Sequence, residues 1–271
     1  SSPLVLVDGM EQSLNNVDPN DIASISILKD AASCAIYGNR GANGVILVTT
    51  KSGKEGKMSL NYSGTVTIEN LQDYSEMMNS AEYIDWRRWS YYYLNPSKYP
   101  RGDQPTKEND YEIFLGATDP TAWKNIEKGW AGGTWDGSRV PNTDWCDMVT
   151  QTGVTHEHTL SASGGTDKMK GYASIGYLDN EGTVKGQSYT RYTTKLSLDL
   201  KPTKWFNLGL NVNGTFSEQQ YGSSASSVGQ LIKGMPSNLY AASTSLFPYA
   251  SPYDEDGNRI EYPGGDDKVK N

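Results

Sequence analysis

The chain is poor in the residues that carry most enzymatic and metal chemistry. Among 271 residues it has two cysteines, Cys34 and Cys146, and two histidines, His156 and His158. The cysteines are far apart and match no metal-ligand spacing. Cys34 lies in an alanine-rich run, where a thiol serves as a small apolar side chain, and nothing in the pattern supports a disulfide between the two. The histidines are two apart in an alternating stretch, so they share one strand face. A metal site needs further ligands, and none is nearby, so an ordinary strand position is the simpler reading. With both histidines on one strand, no Ser–His–Asp order has supporting context. Carboxylate pairs occur in loops, but nothing sets a glycosidase-like separation. The residues call for no cofactor, and we read the chain as not an enzyme.

Basic charge is also short. Lys and Arg number 24 against 32 Asp and Glu, a formal net charge of −8. Nucleic-acid binding needs a basic stripe, so that partner class is excluded. No apolar run approaches the roughly 18–20 residues of a membrane helix. The opening "SSPLVLVDGM" has neither the basic start nor the cleavage pattern of a signal peptide. These absences exclude helical spans; they exclude neither a β-barrel nor a fragment whose targeting sequence lies upstream. Phenylalanine is scarce, with 4 residues against 18 Tyr and 7 Trp. That bias to amphipathic rings suits sugar-like ligands and interfaces, membrane girdles, or the strands of a soluble β protein.

Residues 1–53 read as compact α/β. "PLVLVDG" is a short buried strand ending in an Asp-Gly turn. "VDPNDIASISILKD" offers Asp18 or Asn20 as an N-cap, then a strand over 25–28. "DAASCAIYG" predicts a helix capped by Asp30 and stopped at Gly38. "GVILVTTK" is a strand. The glycines Gly38, Gly41 and Gly44 resemble a phosphate cradle in spacing only. In nucleotide-binding units such glycines follow a strand and open a helix, whereas here they follow a helix and open a strand.

Beyond the turn "SGKEGK", strict alternation begins. Met58, Leu60, Tyr62, Val66 and Ile68 share one face, with Ser and Thr on the other. Residues 70–152 break the pattern: "SAEYIDWRRWSYYYL" predicts a helix from a Ser80 cap, and the rest reads as loop. Alternation returns in four further runs: "VTHEHTLSA", "MKGYASIGYL", "RYTTKLSLDL" and "FNLGLNVNGTF". Their connections run long, short, longer, short, long, the rhythm of an up-and-down barrel. The runs also exceed the usual length of soluble strands and suit a tilted strand across a bilayer. In that reading Leu, Val, Ile and Tyr face lipid, while Asn, Thr, Arg, Lys and Asp face a watery lumen. Near the C-terminus "DEDGN" (254–258) matches the start of a calcium loop. Glu261 comes too soon for the standard spacing, and a simple Asp-Gly turn is favoured.

A longer string of residues is more specific. Asp8-Gly9, Pro19-Asn20-Asp21-Ile22, Leu28-Lys29-Asp30, Ala31-Ala32, Tyr37-Gly38, Arg40-Gly41-Ala42-Asn43-Gly44 and Val45-Ile46 closely resemble the end of the plug domain of TonB-dependent outer-membrane transporters, specifically the SusC/RagA family. "DWCDMV" and the strand runs after it resemble the family's early barrel strands, and "FPYASPYDEDGN" resembles a later loop. The likeness runs end to end except over 70–143. It implies a mixed fold: the C-terminal part of a plug domain over 1–53, then the N-terminal part of a transmembrane β-barrel over 54–271. Long extracellular loops are expected at about 70–152 and 218–271. About five strands of a roughly 22-stranded barrel would be present. Such strands cannot close and would expose edges, so an internal segment of a longer protein is expected.

The family resemblance further implies a Gram-negative outer-membrane importer of oligosaccharides or peptides. Its partners would be a SusD-like surface lipoprotein, outer-membrane lipid, and the TonB complex engaged through a region absent here. The plug motif (Asp8, Gly9, Lys29, Asp30, Tyr37, Gly38, Arg40, Gly41 and Gly44) is expected to be structural or gating, and Arg40 is expected to pair with barrel-wall carboxylates. For ligand recognition the residues to weigh are Trp86, Trp89, Tyr92, Trp130 and Trp135, aromatics beside Asp and Arg in a region rich in both. They suit sugar faces, and equally suit packing of loops on one another or on a partner lid. A soluble, β-rich glycan-binding module stands as the alternative, and a loop-embedded hydrolase as a remote third.

Overall fold

The computed structural model describes residues 2–30, 34–72, 76–115, 120–222, 239–261 and 263. Contacts gather the chain into two compact units. The first is Ser1–Glu69, Gly153–Gly182 and Gln187–Gln220; the second is Asn70–Thr152, Thr183–Gly186 and Tyr221–Asn271.

The first unit holds two sheets. The smaller has β1 (Leu4–Val7), β2 (Met10–Glu11), β3 (Ile22–Leu28) and β4 (Val45–Thr50) in the order β2-β1-β4-β3. The turn between β1 and β2 places Asp8 at φ 50° and Gly9 at φ 85°, the conformation for which Asp-Gly is suited. β1 and β4 are parallel, with Leu4 opposite Val45 and Val7 opposite Val48. Those pairs are buried, Leu4 and Val45 beside Cys34, and Val7 and Val48 beside Val17. Cys34 and Cys146 are both buried free thiols.

Two local expectations need correction. β3 starts at Ile22, three residues earlier than the pattern indicated. Asp18 is the cap before it, its side chain accepting from Asn20 N over the short turn Pro19–Asp21. The helix predicted to stop at Gly38 is, in its described part, a tight 3₁₀ turn Ala35–Gly41 that runs past that glycine. Gly38 kinks at φ 59°, ψ −147°, a combination open to a residue without Cβ, so it bends the turn rather than ending it. Residues 31–33 of that helix lie outside the described residues.

The larger sheet is antiparallel: β5 (Gly56–Glu69), β6 (Gly153–Gly165), β7 (Met169–Glu181), β8 (Gln187–Thr203) and β9 (Phe206–Tyr221), paired in sequence order. All five predicted strands are present. Directly opposed residues share a face, so Leu60, Ala162, Ala173 and Leu196 form one outward row, and Ser161, Ser174 and Lys195 one inward row.

The second unit carries the helix expected over 80–94 and further short helices within stretches that the sequence reads as loop. It contains α1 (Ser80–Leu94), α2 (Lys107–Ile113), α3 (Pro120–Glu127), α4 (Trp145–Val149) and α5 (Leu239–Ser243). α1 is capped by Asn79 in a reciprocal capping box with Glu82. Ser80, the expected cap, is instead its first helical residue, donating its hydroxyl to Pro141 O at 2.7 Å. Ile84, Ile113, Phe114, Ala122, Trp123, Ile126, Val140 and Tyr249 form the core.

Candidate functional site

The larger sheet buries its polar face. Thr159, Tyr172, Ser174, Arg191, Thr193, Lys195 and Ser197 are all buried, while most of the alternate large apolar residues are exposed, from 39% at Leu160 to 83% at Met58. A soluble two-layer sheet does the opposite, because apolar burial drives its packing. What covers the polar face is the segment Asp8–Thr50, and three of its carboxylates are the points of attachment.

Asp8, in the β1–β2 turn, accepts from Thr50 N at 2.9 Å and from the Thr50 hydroxyl. Asn211 of β9 donates to it at 2.8 Å, and Lys195 Nζ of β8 stands 3.4 Å away. The ammonium also donates to Thr50, Asn211 and Asn213. Burial alone would push the Asp8 carboxyl up; the Thr50, Asn211 and Lys195 interactions outweigh it and hold the group below the usual carboxylate range. Asp18 accepts from the Thr159 hydroxyl at 2.7 Å. Asp21 accepts from the Tyr172 and Ser174 hydroxyls, each at 2.6 Å. Arg191 donates to Asn15 O at 2.9 Å, and Thr215 to Asn16 O at 2.5 Å. The cavity left beside Asp18, Asp21, Thr50 and Lys195 is about 10 Å³, room for a single water at most.

Of the plug-motif residues, Asp8 therefore reaches the wall. Lys29, Asp30, Gly38, Gly41 and Gly44 line a corner cavity with Cys34, and Tyr37 packs on the Leu4–Cys34–Val45 cluster. Arg40 does not meet a wall carboxylate: its ion pair is with Glu11 on β2, and both side chains are more than half exposed. The wall contacts fall to Asp18 and Asp21 instead. In the sequence Asp18 reads as a turn cap and Asp21 as part of the motif string, and only their partners, more than 140 residues away, show the second role.

The outward face carries a row of rings across all five strands. Tyr62, His158, His156, Tyr177, Tyr192 and Phe216 follow one another with centroid separations of 5.1–6.4 Å. The Tyr62 hydroxyl lies 2.7 Å from His158 Nδ1. The histidine pair thus belongs to an aromatic row, and among the described residues no group of three metal-ligating side chains gathers anywhere. At the opposite end, Trp205 and Phe206 stand at the short β8–β9 turn, 6.1 Å apart. Phe206 and Phe216 are ten residues apart on one strand, about 33 Å along it. At a tilt of about 40° that is a height of roughly 25 Å, the apolar band of an outer-membrane barrel.

In the second unit the weighed aromatics fall into separate groups. Trp130 and Trp135 lie 5.5 Å apart and enclose a buried ion pair. Arg88 donates twice to Asp110, at 2.9 and 2.5 Å. Trp130 Nε1 donates to the same carboxylate at 2.9 Å, and the Arg88 guanidinium sits 3.9 Å over the Trp135 ring. A Cβ on Gly129 would come within 2.5 Å of that ring. Trp130 spends its indole N–H, and Trp135 its ring face, on this packing. Trp89 stacks with Tyr93 and meets Tyr92 edge to face on α1, under Arg101. Trp86, beside Tyr83, is 52% exposed. In the 254–258 turn, Asp254 accepts from Asp256 N and from Asn258 N. The backbone and side chain of Asn258 hold its carboxylate below the ordinary range. That is the Asp-Gly turn, with Gly257 at φ 81°.

The TonB-dependent Receptor Plug Domain matches residues 1–45. TonB-dependent receptor P39 of Formosa agariphila is 35% identical over 81% of this chain and 18% of its own length. TonB-dependent receptor SusC of Bacteroides thetaiotaomicron is 26% identical over 93% of this chain and 22% of its own. The solved RagAB peptide importer in its closed-closed state superposes with a TM-score of 0.69 at 26% identity, over 96% of this chain and 28% of that one. The chain thus spans about a fifth of the length of the curated relatives it matches. With plug-domain sequence at its start and an antiparallel sheet resembling the RagA barrel after it, the chain is a segment of the SusC/RagA type of TonB-dependent transporter.

Proposed function

We propose that this chain is the end of the plug and the first barrel strands of an outer-membrane importer that takes up oligosaccharides or peptides. In this reading residues 1–53 are plug and the larger sheet is barrel wall. The work is transport rather than catalysis. A SusD-like lipoprotein and the TonB complex are its partners, and Gram-negative outer-membrane lipid surrounds it.

The observation that carries the reading is the inverted sheet. Its polar face is buried under the segment holding Asp8, Asp18 and Asp21, and its apolar face is largely exposed, with an aromatic row at one end and the Trp205–Phe206 pair at the other. Exposing so many large apolar side chains in water is unfavourable, at about 25 cal/mol per Å². In lipid the same face is matched to its solvent. That weighs against a soluble glycan-binding module. For ligand contact, Trp86, Trp89 and Tyr92 on α1 are the better placed of the five aromatics, since Trp130 and Trp135 are engaged with Asp110 and Arg88.

The test uses the full-length protein. It is expected in the detergent-extracted outer-membrane fraction, migrating faster on gels before boiling than after. Deleting its gene is expected to abolish uptake of a labelled oligosaccharide or peptide pool. A detergent-independent soluble protein, or unchanged uptake of both pools, would overturn the reading.

A further inference from the structure

Thr159, Gly176 and Thr193 stand side by side on β6, β7 and β8, directly opposed in register and facing inward. The middle position has no side chain. The Asp18 carboxylate occupies the gap: a Cβ on Gly176 would collide with Asp18 Oδ2 and Thr193 Oγ1, and would lie 3.4 Å from Asp18 Cγ. Asp18 is 3% exposed, and both its oxygens are committed. Oδ1 accepts from Asn20 N at 2.8 Å, and Oδ2 from Thr159 Oγ1 at 2.7 Å. Asn20 Nδ2 reaches the same threonine at 3.1 Å. The carboxylate cannot swing away without giving up its cap or its wall bond, either of which is expensive to leave unmade in a buried site.

We propose that Gly176 is a seat-determining residue: the notch it leaves in the wall sets the position at which the plug docks, with Asp18 as the key that fits it. The two flanking attachments differ in kind. The Asp8–Lys195 link is made by long side chains that adapt, and Asp21 meets two rotatable hydroxyls. Of the three carboxylates, Asp18 is the one whose buried group fills the place of a missing wall side chain. Gly176 contacts no ligand; it acts through Asp18. The inference rests on the plug-and-wall reading above.

The test is second-site rescue in the full-length protein in cells. Gly176→Ala adds one methyl group, which meets the Asp18 carboxylate of the plug segment and the Thr193 hydroxyl of the neighbouring strand. It is expected to unseat the plug, seen as at least a tenfold gain in sensitivity to a large antibiotic normally excluded by the outer membrane. Asp18→Ser keeps a capping oxygen while removing the plug-side atom that collides; Thr193 Oγ1 stays in place in both the single and the double variant, so the pair isolates the Asp18 collision. Combined with Gly176→Ala it is expected to return sensitivity to within twofold of wild type. Gly176→Ala with wild-type sensitivity, or a double variant as leaky as the single, would overturn the proposal. Gel migration before and after boiling is read on every variant. A wild-type protein that forms no barrel fails the underlying reading, whereas a barrel that forms with Gly176→Ala and stays closed fails the notch alone.

Discussion

The two units of this chain use burial in opposite ways. In the second, Ile84, Ile113 and Ile126 are fully enclosed, and the buried Arg88–Asp110 pair is wrapped by Trp130 and Trp135. That is the packing of a domain folded in water, where apolar area drives collapse and a buried charge needs its partner. In the first, the larger sheet keeps Lys195, Arg191 and Thr193 inside and leaves Leu196, Ile175 and Leu208 outside. The same two-residue alternation operates, but its apolar side is the exposed one. The difference teaches that alternation alone does not tell which face is the core; the identity of the groups packed on the polar face does.

Breaking the buried ion pair should be the largest perturbation on the water-folded side. Asp110→Ala leaves buried Arg88 with Asp85, a mostly exposed side chain, as its remaining carboxylate among the described residues, and should cost about 3 kcal/mol. It should appear as fast hydrogen exchange through α1 and α2, with the barrel strands unchanged. Leu196→Arg breaks the other side. At mid-height on a lipid-facing strand it should cost about 2–4 kcal/mol in a bilayer, against roughly 0.5 kcal/mol or less for an exposed position on a soluble sheet. Denaturant unfolding of the full-length protein from vesicles separates the two.

Lys195→Met sharpens the comparison by removing the cation from the polar face. Asp8 then loses one of the partners that hold its carboxyl low, at a cost of about 1–3 kcal/mol. The same link carries a pH signature. A carboxylate whose folded value lies below its unfolded value of about 3.9 stabilises above about pH 4, and that contribution is lost as pH falls through the lowered folded value. Protease access to the β1–β2 turn should therefore rise below pH 4 in wild type, and the rise should be smaller in Lys195→Met. Arg40→Ala should have the smallest effect. Its pair with Glu11 is exposed on both sides, and such pairs contribute about 0–1 kcal/mol, so a midpoint unchanged within error is expected.

Much of this was legible from residues alone. The five long strands follow from alternation, and the plug motif from an ordered string over Asp8–Ile46. What escaped has physical reasons. α2 and α3 have seven and eight residues, too short for periodicity to stand out, and are held by a core assembled from distant segments. Arg40 looked like the wall contact because it is the long cation of the motif, yet Glu11 is nearer in the fold. Asp18 announces a turn, since a cap is a local pattern, and Asp21 a place in the motif string, while their wall partners lie across the sequence. The glycine between Ile175 and Tyr177 carries no mark at all until Asp18 is placed against it.

The most direct test of the inverted sheet is accessibility along β8 in the full-length protein in lipid bilayers. Nitroxide labels placed singly at positions 192 to 198 would be read against lipid-soluble oxygen and a water-soluble metal complex. High oxygen access at 192, 194, 196 and 198, with low access to both reagents at 193, 195 and 197, is the predicted result. Strong exposure of the even positions to the water-soluble reagent would contradict it.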